Sequence, residues 1–359
     1  MTYDVVIIGA GVAGITAAEQ LAPHASVCVL EREERPGYHA SGRSAAMFVE
    51  GYGNATVREL NRTSREYLDD RELLLDRGVL LIAGSGQAEV FEAENAELGT
   101  TEISRSRASE LAPILREETV ERAGFTDQAF DVDTDRMQQL ALRAARDRGA
   151  ILRTGAEVSS ISRRGGDWEI RTTDGAISAA VLVNAAGAWA DEVAALAGVR
   201  KLNLQPMRRS VARIALPDGV TSQGWPMMLG VGNTWFAKPD AGQILVSPSE
   251  EDPVPPQDAW ADDMVLAEGI ARYEGMVSAP VRRMLSNWAG LRTFAPDRTP
   301  VVGKDPSHPD FVWCAGQGGY GFQTAGALSV LTADAVLGRP PVIGADLAAA
   351  LSPARFAQT

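Results

Sequence analysis

Residues 3–8 (YDVVII) form a short, nearly unbroken apolar run, and residues 26–31 (SVCVLE) form another. Between them, residues 12–22 read as a helix whose small residues, Ala13, Gly14, Ala17 and Ala18, suit close packing. Strand, helix and strand in this order predict a βαβ opening, the start of a parallel sheet covered on both faces. Residues 36–46 predict a loop of small residues that then opens a helix, and 56–75 predict a charged helix. A strand follows at 77–84 and charged helices at 88–116. Residues 134–149 repeat with helical periodicity, with Asp133 or Thr134 as N-cap and Gly149 as C-cap. Several strands fill 151–184, turning at Gly165-Gly166 and Asp174-Gly175. Residues 207–247 alternate as antiparallel strands do, 264–286 read as helix, and 288–294 and the run FVWCAG read as strands. A last helix is expected from about Thr324 to Leu337. The acidic, proline-rich run 250–263 is a loop, either a pocket cover or a solvated connection.

Composition narrows the partners. The 359 residues carry 34 Lys and Arg against 47 Asp and Glu, a net charge of −13. Such a surface repels nucleic acid and anionic membranes, so neither is an expected partner. Cys28 and Cys314 both sit in strand-like runs, which predicts buried structural thiols with no disulfide framework and no zinc or other metal site. That usage fits a reducing cytoplasm. No targeting segment is expected at the start, and the longest weakly polar stretch, 179–190, is shorter than the roughly 20 residues of a membrane span.

The strongest motif is Gly9-Ala10-Gly11-Val12-Ala13-Gly14, placed after a strand and at the start of a helix. Gly9 allows the tight turn, Gly11 lets backbone approach a pyrophosphate, and Gly14 lets helix and strand pack closely. The helix N-terminus then faces two negative phosphates. Glu31 ends the second strand, where a carboxylate binds a ribose diol. The plainer reading is a glycine turn that only packs a βαβ unit.

The fingerprint alone serves NAD as well as FAD, so other segments decide. Arg43-Ser44-Ala45-Ala46 offers small residues for a flat ring and an arginine for a phosphate. Gly316-Gln317-Gly318-Gly319-Tyr320-Gly321 precedes a helix whose N-terminus can face the N1–C2 edge of a flavin, where the reduced ring is anionic. Non-covalent FAD is therefore expected. Its binding set is Gly9, Gly11, Val12, Ala13, Gly14, Glu31, Arg32, His39, Ser41, Arg43, Ser44, Ala45, Ala46, Val158, Ala186, Gly187, Trp189, Gly316, Gly318, Gly319, Tyr320, Gly321, Phe322 and Gln323.

The succession GAGVAG, PGYHASGRSAA, NAAGAW, WAGLR and GQGGYGFQT resembles the FAD-dependent D-amino-acid oxidase family, which includes glycine and sarcosine oxidases and D-amino-acid dehydrogenases. LQP at 204–206, RRS at 208–210, WPM at 225–227 and KPD at 238–240 extend the likeness toward bacterial D-arginine dehydrogenases. The resemblance implies an α/β chain with a Rossmann-type FAD-binding domain (1–75, 132–200, 287–359). An inserted α+β substrate domain (76–131, 201–286) would hold a mixed, largely antiparallel sheet. It implies that arginines hold a substrate carboxylate while the α-hydrogen leaves as hydride to flavin N5. Arg292 in WAGLRTF matches the main carboxylate arginine and Arg209 a second, with Tyr52, Gly319 and Gln323 at other pocket positions. A guanidinium fork suits a planar carboxylate. The alternative for either arginine is a structural ion pair.

The chain departs from the D-arginine dehydrogenase pattern at three pocket positions. Val79 stands where that pattern has a carboxylate, Met47 where it has a histidine, and Phe236 where it has a tyrosine. A cationic side chain would lose its counter-charge there. The expectation is oxidative deamination of a small or hydrophobic D-amino acid to its 2-oxo acid and ammonia, with oxygen, a quinone or a dye as electron acceptor. Secondary-amine oxidation of the sarcosine type is the nearest alternative, and a non-catalytic FAD-binding module a remote one.

Overall fold

The computed structural model describes residues 1–357. Thr2–Ile8 pairs in parallel with Val27–Leu30 on one side and Gly175–Asn184 on the other. Ile151–Arg153 extends the parallel set beyond Val27–Leu30, and Phe311–Ala315 extends it beyond Asn184. Three antiparallel strands, Val158–Arg164, Asp167–Thr172 and Val301–Lys304, complete an eight-stranded sheet.

Both faces of this sheet are buried, as continuous apolar strands require. Val5 and Ile7 face the helices Val12–Leu21, Thr134–Asp147 and Ala325–Leu337 through Ile15, Ala141, Leu328 and Leu331. Val6 and Ile8, on alternate pleats, face Trp168, Trp313 and the helix Ala190–Leu196. Cys28 and Cys314 are buried in these two layers, and burial pushes the Cys314 thiol up to about 11. The Asp133 side chain caps the Thr134–Asp147 helix by accepting from Arg136 N.

A second, nine-stranded sheet is mixed. Its long pair is Gln205–Ile214 against Met284–Phe294, and Val79–Ala83 runs parallel to Met227–Gly230 within it. The helix Asp263–Met276 covers the outer face through Leu266 and Tyr273. The inner face, with Val79, Val211, Met227 and Phe236, turns toward the nucleotide-binding layer. A small antiparallel sheet of Met47–Val49, Ala129–Val132 and Leu74–Asp76 bridges the two.

Several expectations need correction. The expected domain borders at 132 and 287 both fall inside strands. Met284–Phe294 is wholly part of the second sheet, because it is hydrogen-bonded along Gln205–Ile214 from end to end. Its apolar run carries no local mark of which sheet it joins. Residues 36–46 open no α-helix; a single 3₁₀ turn, Ser41–Arg43, leads into the strand Met47–Val49. The helices expected at 88–116 are split by the strand Thr101–Ile103, and the one expected at 264–286 stops at Met276. Among the described residues, no helix is long and apolar enough to cross a membrane.

Candidate active site

The carboxyl ends of the parallel strands and the inner face of the second sheet enclose one elongated cavity of about 290 Å³. Ligands bind at this place in open α/β sheets because loops diverge there and helix N-termini point at it. At one end it is lined by Gly9, Gly11, Val12 and Ala13. Gly14 does not reach the cavity. A Cβ there would overlap the Gly9 carbonyl oxygen, so Gly14 is what lets the helix start where it does. The Glu31 carboxylate is held by Ala10 N (2.9 Å) and Glu33 N (3.0 Å). Ser41 Oγ accepts from Val12 N at 2.9 Å, which leaves the hydroxyl proton for a ligand at the helix N-terminus.

Arg32, His39, Ser44, Ala45, Ala46, Val158, Ala186, Gly187 and Trp189 line the same cavity. The Arg32 guanidinium lies over the Trp189 ring, and His39 Nε2 is 2.8 Å from Glu33 Oε1. Arg43 lines the cavity but is no phosphate ligand in this arrangement. Its guanidinium bonds the carbonyls of Ala259 and Ala289 and pairs with Asp258. It thereby pins the acidic loop, and Gln257 and Ala259 of that loop become cavity wall.

At the far end of the glycine-rich segment, Gly318, Gly319, Gly321, Phe322 and Gln323 line the cavity just before the helix Ala325–Leu337. Gly316 and Tyr320 do not. Gly316 turns the chain at φ 72° beside Ala295, and Tyr320 packs its buried ring on Phe294 and Tyr52. Three buried polar atoms of cavity-lining residues, Gln323 Nε2, Thr293 Oγ1 and His39 Nδ1, have no hydrogen-bond partner among the described residues. A polar ligand in the cavity would give these groups partners. With the glycine turn, Glu31 and the small residues 44–46, this wall fits FAD.

Arg292 also lines the cavity, half-buried, with its Nη1 3.5 Å from Tyr52 Oη. A Cβ at Gly319 would stand 3.1 Å from the Arg292 guanidinium carbon, so glycine is what lets the two meet. Among the described residues no carboxylate pairs with Arg292. Arg209 differs. It lines the cavity but is buried, donating from Nε to the Glu250 carbonyl (2.8 Å) and from Nη2 to Glu251 Oε1 (3.2 Å). Burial and the neighbouring Arg292 hold its pKa down to about 10.

Of the three apolar positions, Met47 and Phe236 reach the cavity. Val79 does not; it is fully buried behind them, in the cluster with Val211 and Met227. Tyr52 touches Arg292 without facing the main cavity. Val211, Gly290, Leu291, Thr293 and Gln317 are lining residues that the sequence reading missed. Strand alternation from Arg209 would have found Val211. Nothing local marks Gln257 or Ala259. Also missed was a polar knot around Asp131, the cross-strand partner of Met47. Its carboxylate takes Lys238 Nζ at 2.8 Å and Arg77 Nε and Nη2 at 2.8 and 2.6 Å.

Comparison with known proteins agrees with this geometry. Residues 4–335 match the FAD dependent oxidoreductase (DAO) family. The chain is 28% identical, over 98% of its length, to the tRNA 5-methylaminomethyl-2-thiouridine biosynthesis bifunctional protein of Thiobacillus denitrificans, of which it spans 59%. It spans less than two thirds of the length of the first curated relatives it matches. Glycine oxidase from Geobacillus kaustophilus shares the fold with TM-score 0.81 at 22% identity, covering 95% of this chain and 96% of that one. FAD-bound L-alpha-glycerophosphate oxidase from Mycoplasma pneumoniae does so with TM-score 0.84 at 20% identity, covering 94% and 95%. With the matched segment running from the first strand into the helix that follows the late glycine-rich turn, the chain belongs to the DAO family of FAD-dependent oxidoreductases, and its cofactor is FAD.

Proposed function

We propose that the chain oxidises a small or hydrophobic D-amino acid to its imine, which hydrolyses to the 2-oxo acid and ammonia. The observation that carries this is Arg292, a cavity guanidinium with no internal carboxylate, set beside the Tyr52 hydroxyl, Gly319 and an apolar wall. FAD, when bound, supplies the two-electron acceptor for the α-hydrogen. Arg292 holds the substrate carboxylate in its fork, and Tyr52 orients that pair from the side. Met47, Phe236 and Val211 receive the side chain and keep water from it.

An amine fits better than a hydroxy acid. Alcohol oxidation usually calls for a base, commonly histidine, to take the hydroxyl proton. His39 is the one histidine on the cavity wall among the described residues, and it is bonded to Glu33. A neutral amine carries its own lone pair and needs no such base. The secondary-amine reading rests on the same clamp. Anaerobic mixing of the holoenzyme with panels of D-amino acids and N-methyl amino acids separates the two by which panel bleaches the flavin. No bleaching by either panel would refute both.

Within the D-amino acids, leucine, methionine or phenylalanine should exceed D-arginine in kcat/KM by roughly 10- to 200-fold, the worth of a methylene-scale mismatch. The wall is apolar, and the Asp131–Lys238–Arg77 knot behind it carries net positive charge, which opposes a cationic side chain. A preference for D-arginine or D-lysine in initial-rate assays would overturn this specificity.

FAD should be released intact by acid precipitation, leaving a yellow supernatant. Neither cysteine lines the cavity, so no thioether is within reach. Among the described residues His39 is the one histidine on the cavity wall; its Nε2 is bonded to Glu33, which leaves Nδ1 as the single nitrogen a link could use. A yellow pellet would show a covalent bond instead.

A further inference from the structure

Two of the arginines on the cavity, Arg209 and Arg292, stand on adjacent strands, and the structure treats them differently. In the pairing of Gln205–Ile214 with Met284–Phe294, Met207 stands opposite Arg292 and Arg209 opposite Gly290. Arg209 and Arg292 are therefore diagonal neighbours on the same face of adjacent strands, about 7–8 Å apart along the backbone. Each guanidinium raises the cost of the other's charge. Arg209 is the more buried of the two, and an acidic residue answers it: Glu251 Oε1 accepts from Arg209 Nη2 at 3.2 Å. The second oxygen, Glu251 Oε2, accepts from Arg298 Nη2 at 2.8 Å. Arg298 is half-exposed and is steadied by lying over the Phe294 ring, 3.9 Å from its centroid. The adjacent Glu250 contributes its backbone carbonyl to Arg209, while its carboxylate turns to Ser210 N.

We propose that Glu251 is a selectivity residue: by pairing with Arg209 it leaves Arg292 as the cavity guanidinium with no carboxylate partner among the described residues, and so sets the site for ligands with one carboxylate rather than two. The proposal rests on the reading of Arg292 as the carboxylate clamp. A ligand with a second carboxylate must displace Glu251 from Arg209 or meet a neutralised pair, whereas a monocarboxylate meets Arg292 alone. Glu251 is three-quarters buried, so its charge is only partly screened from the cavity. The same residue is placed by the acidic loop that Arg43 pins at Asp258, which gives that loop a part in selectivity besides covering the cavity.

The test is a titration of the purified holoenzyme with acetate and with malonate, followed by the visible absorption of the bound flavin. In the unchanged enzyme malonate should bind no tighter than acetate. Glu251→Gln keeps the shape and an acceptor oxygen but removes the charge. It should raise the malonate affinity relative to acetate by at least about tenfold, equivalent to about 1.4 kcal/mol. An unchanged malonate-to-acetate ratio would overturn the proposal. Arg298→Gln, at the outer end of the chain of charges, should move the ratio the opposite way, because Glu251 is then left wholly to Arg209. If Glu251→Gln fails to fold or to hold FAD, that direction decides, and a ratio that stays or rises in Arg298→Gln counts against the assignment. Arg292→Ala should weaken both anions together. Retention of acetate in that variant would mean that the clamp reading is wrong, an outcome separate from any change in the ratio.

Discussion

Arg292→Ala is expected to retain FAD and fold while losing about two orders of magnitude or more in kcat/KM. A charge-assisted hydrogen bond contributes about 1.5–3 kcal/mol, and a bidentate pair loses two of them. The side chain emerges from Met284–Phe294, a strand bonded along its whole length, so the backbone holds position when the guanidinium goes. The loss should fall on kcat as well as KM, because the clamp sets where the α-carbon stands. Arg292→Lys keeps the charge, loses the fork, and should lie between the two. Steady-state rates on the best amino acid, with the flavin absorbance as the control, check this. Full activity in Arg292→Ala would move the clamp to Arg209. Loss of FAD would instead mark Arg292 as structural.

The largest expected effect on stability comes from Asp131. Its carboxylate is the shared partner of Lys238, 7% exposed, and of Arg77. Asp131→Ala leaves the two cations that shared its carboxylate without a counter-charge. Breaking a buried pair by removing one partner costs about 3–5 kcal/mol, and much of that is the charge left behind. The thermal unfolding midpoint of the holoenzyme should therefore drop clearly. A second change, Lys238→Met, should recover part of the loss in the Asp131→Ala background, since it removes the stranded charge. If the single variant unfolds at the parent temperature, the knot is hydrated well enough to need no counter-ion.

The nucleotide-binding end was open to reading from the chain alone because its constraints are local. Strand, glycine turn, helix and Glu31 occupy one continuous stretch of about 30 residues, within which Glu31 reaches back to Ala10 N. Gly14 acts within one turn, against the Gly9 carbonyl, and Ser41 reaches the helix start from the next loop, whereas the room that Gly9 leaves for Ala185 is set by the sheet. The late turn 316–321 was legible as a glycine-rich helix entry, while its fit against Phe294 and Arg292 was not. Arg43 shows the limit. Its place on the cavity wall was legible, but its partner was not, because Asp258 lies 215 positions away and only tertiary packing brings the acidic loop across.

Sequence by itself determined the cofactor-binding unit, the apolar character of positions 47, 79 and 236, and the presence of two arginines suited to a carboxylate. Tertiary structure decided what each of these does. Strand Met284–Phe294 joined the second sheet because its hydrogen bonds found Gln205–Ile214, a pairing that an apolar run cannot announce. That pairing put Arg209 and Arg292 on one face, and the acidic loop then paired with the first and left the second free. Val79 is kept from the cavity because its side chain is packed under Val211, Met227 and Phe236 in the buried cluster of the inner face. Burial, charge pairing and sheet register are properties of chain segments distant in sequence, so they are settled only when the fold brings those segments together.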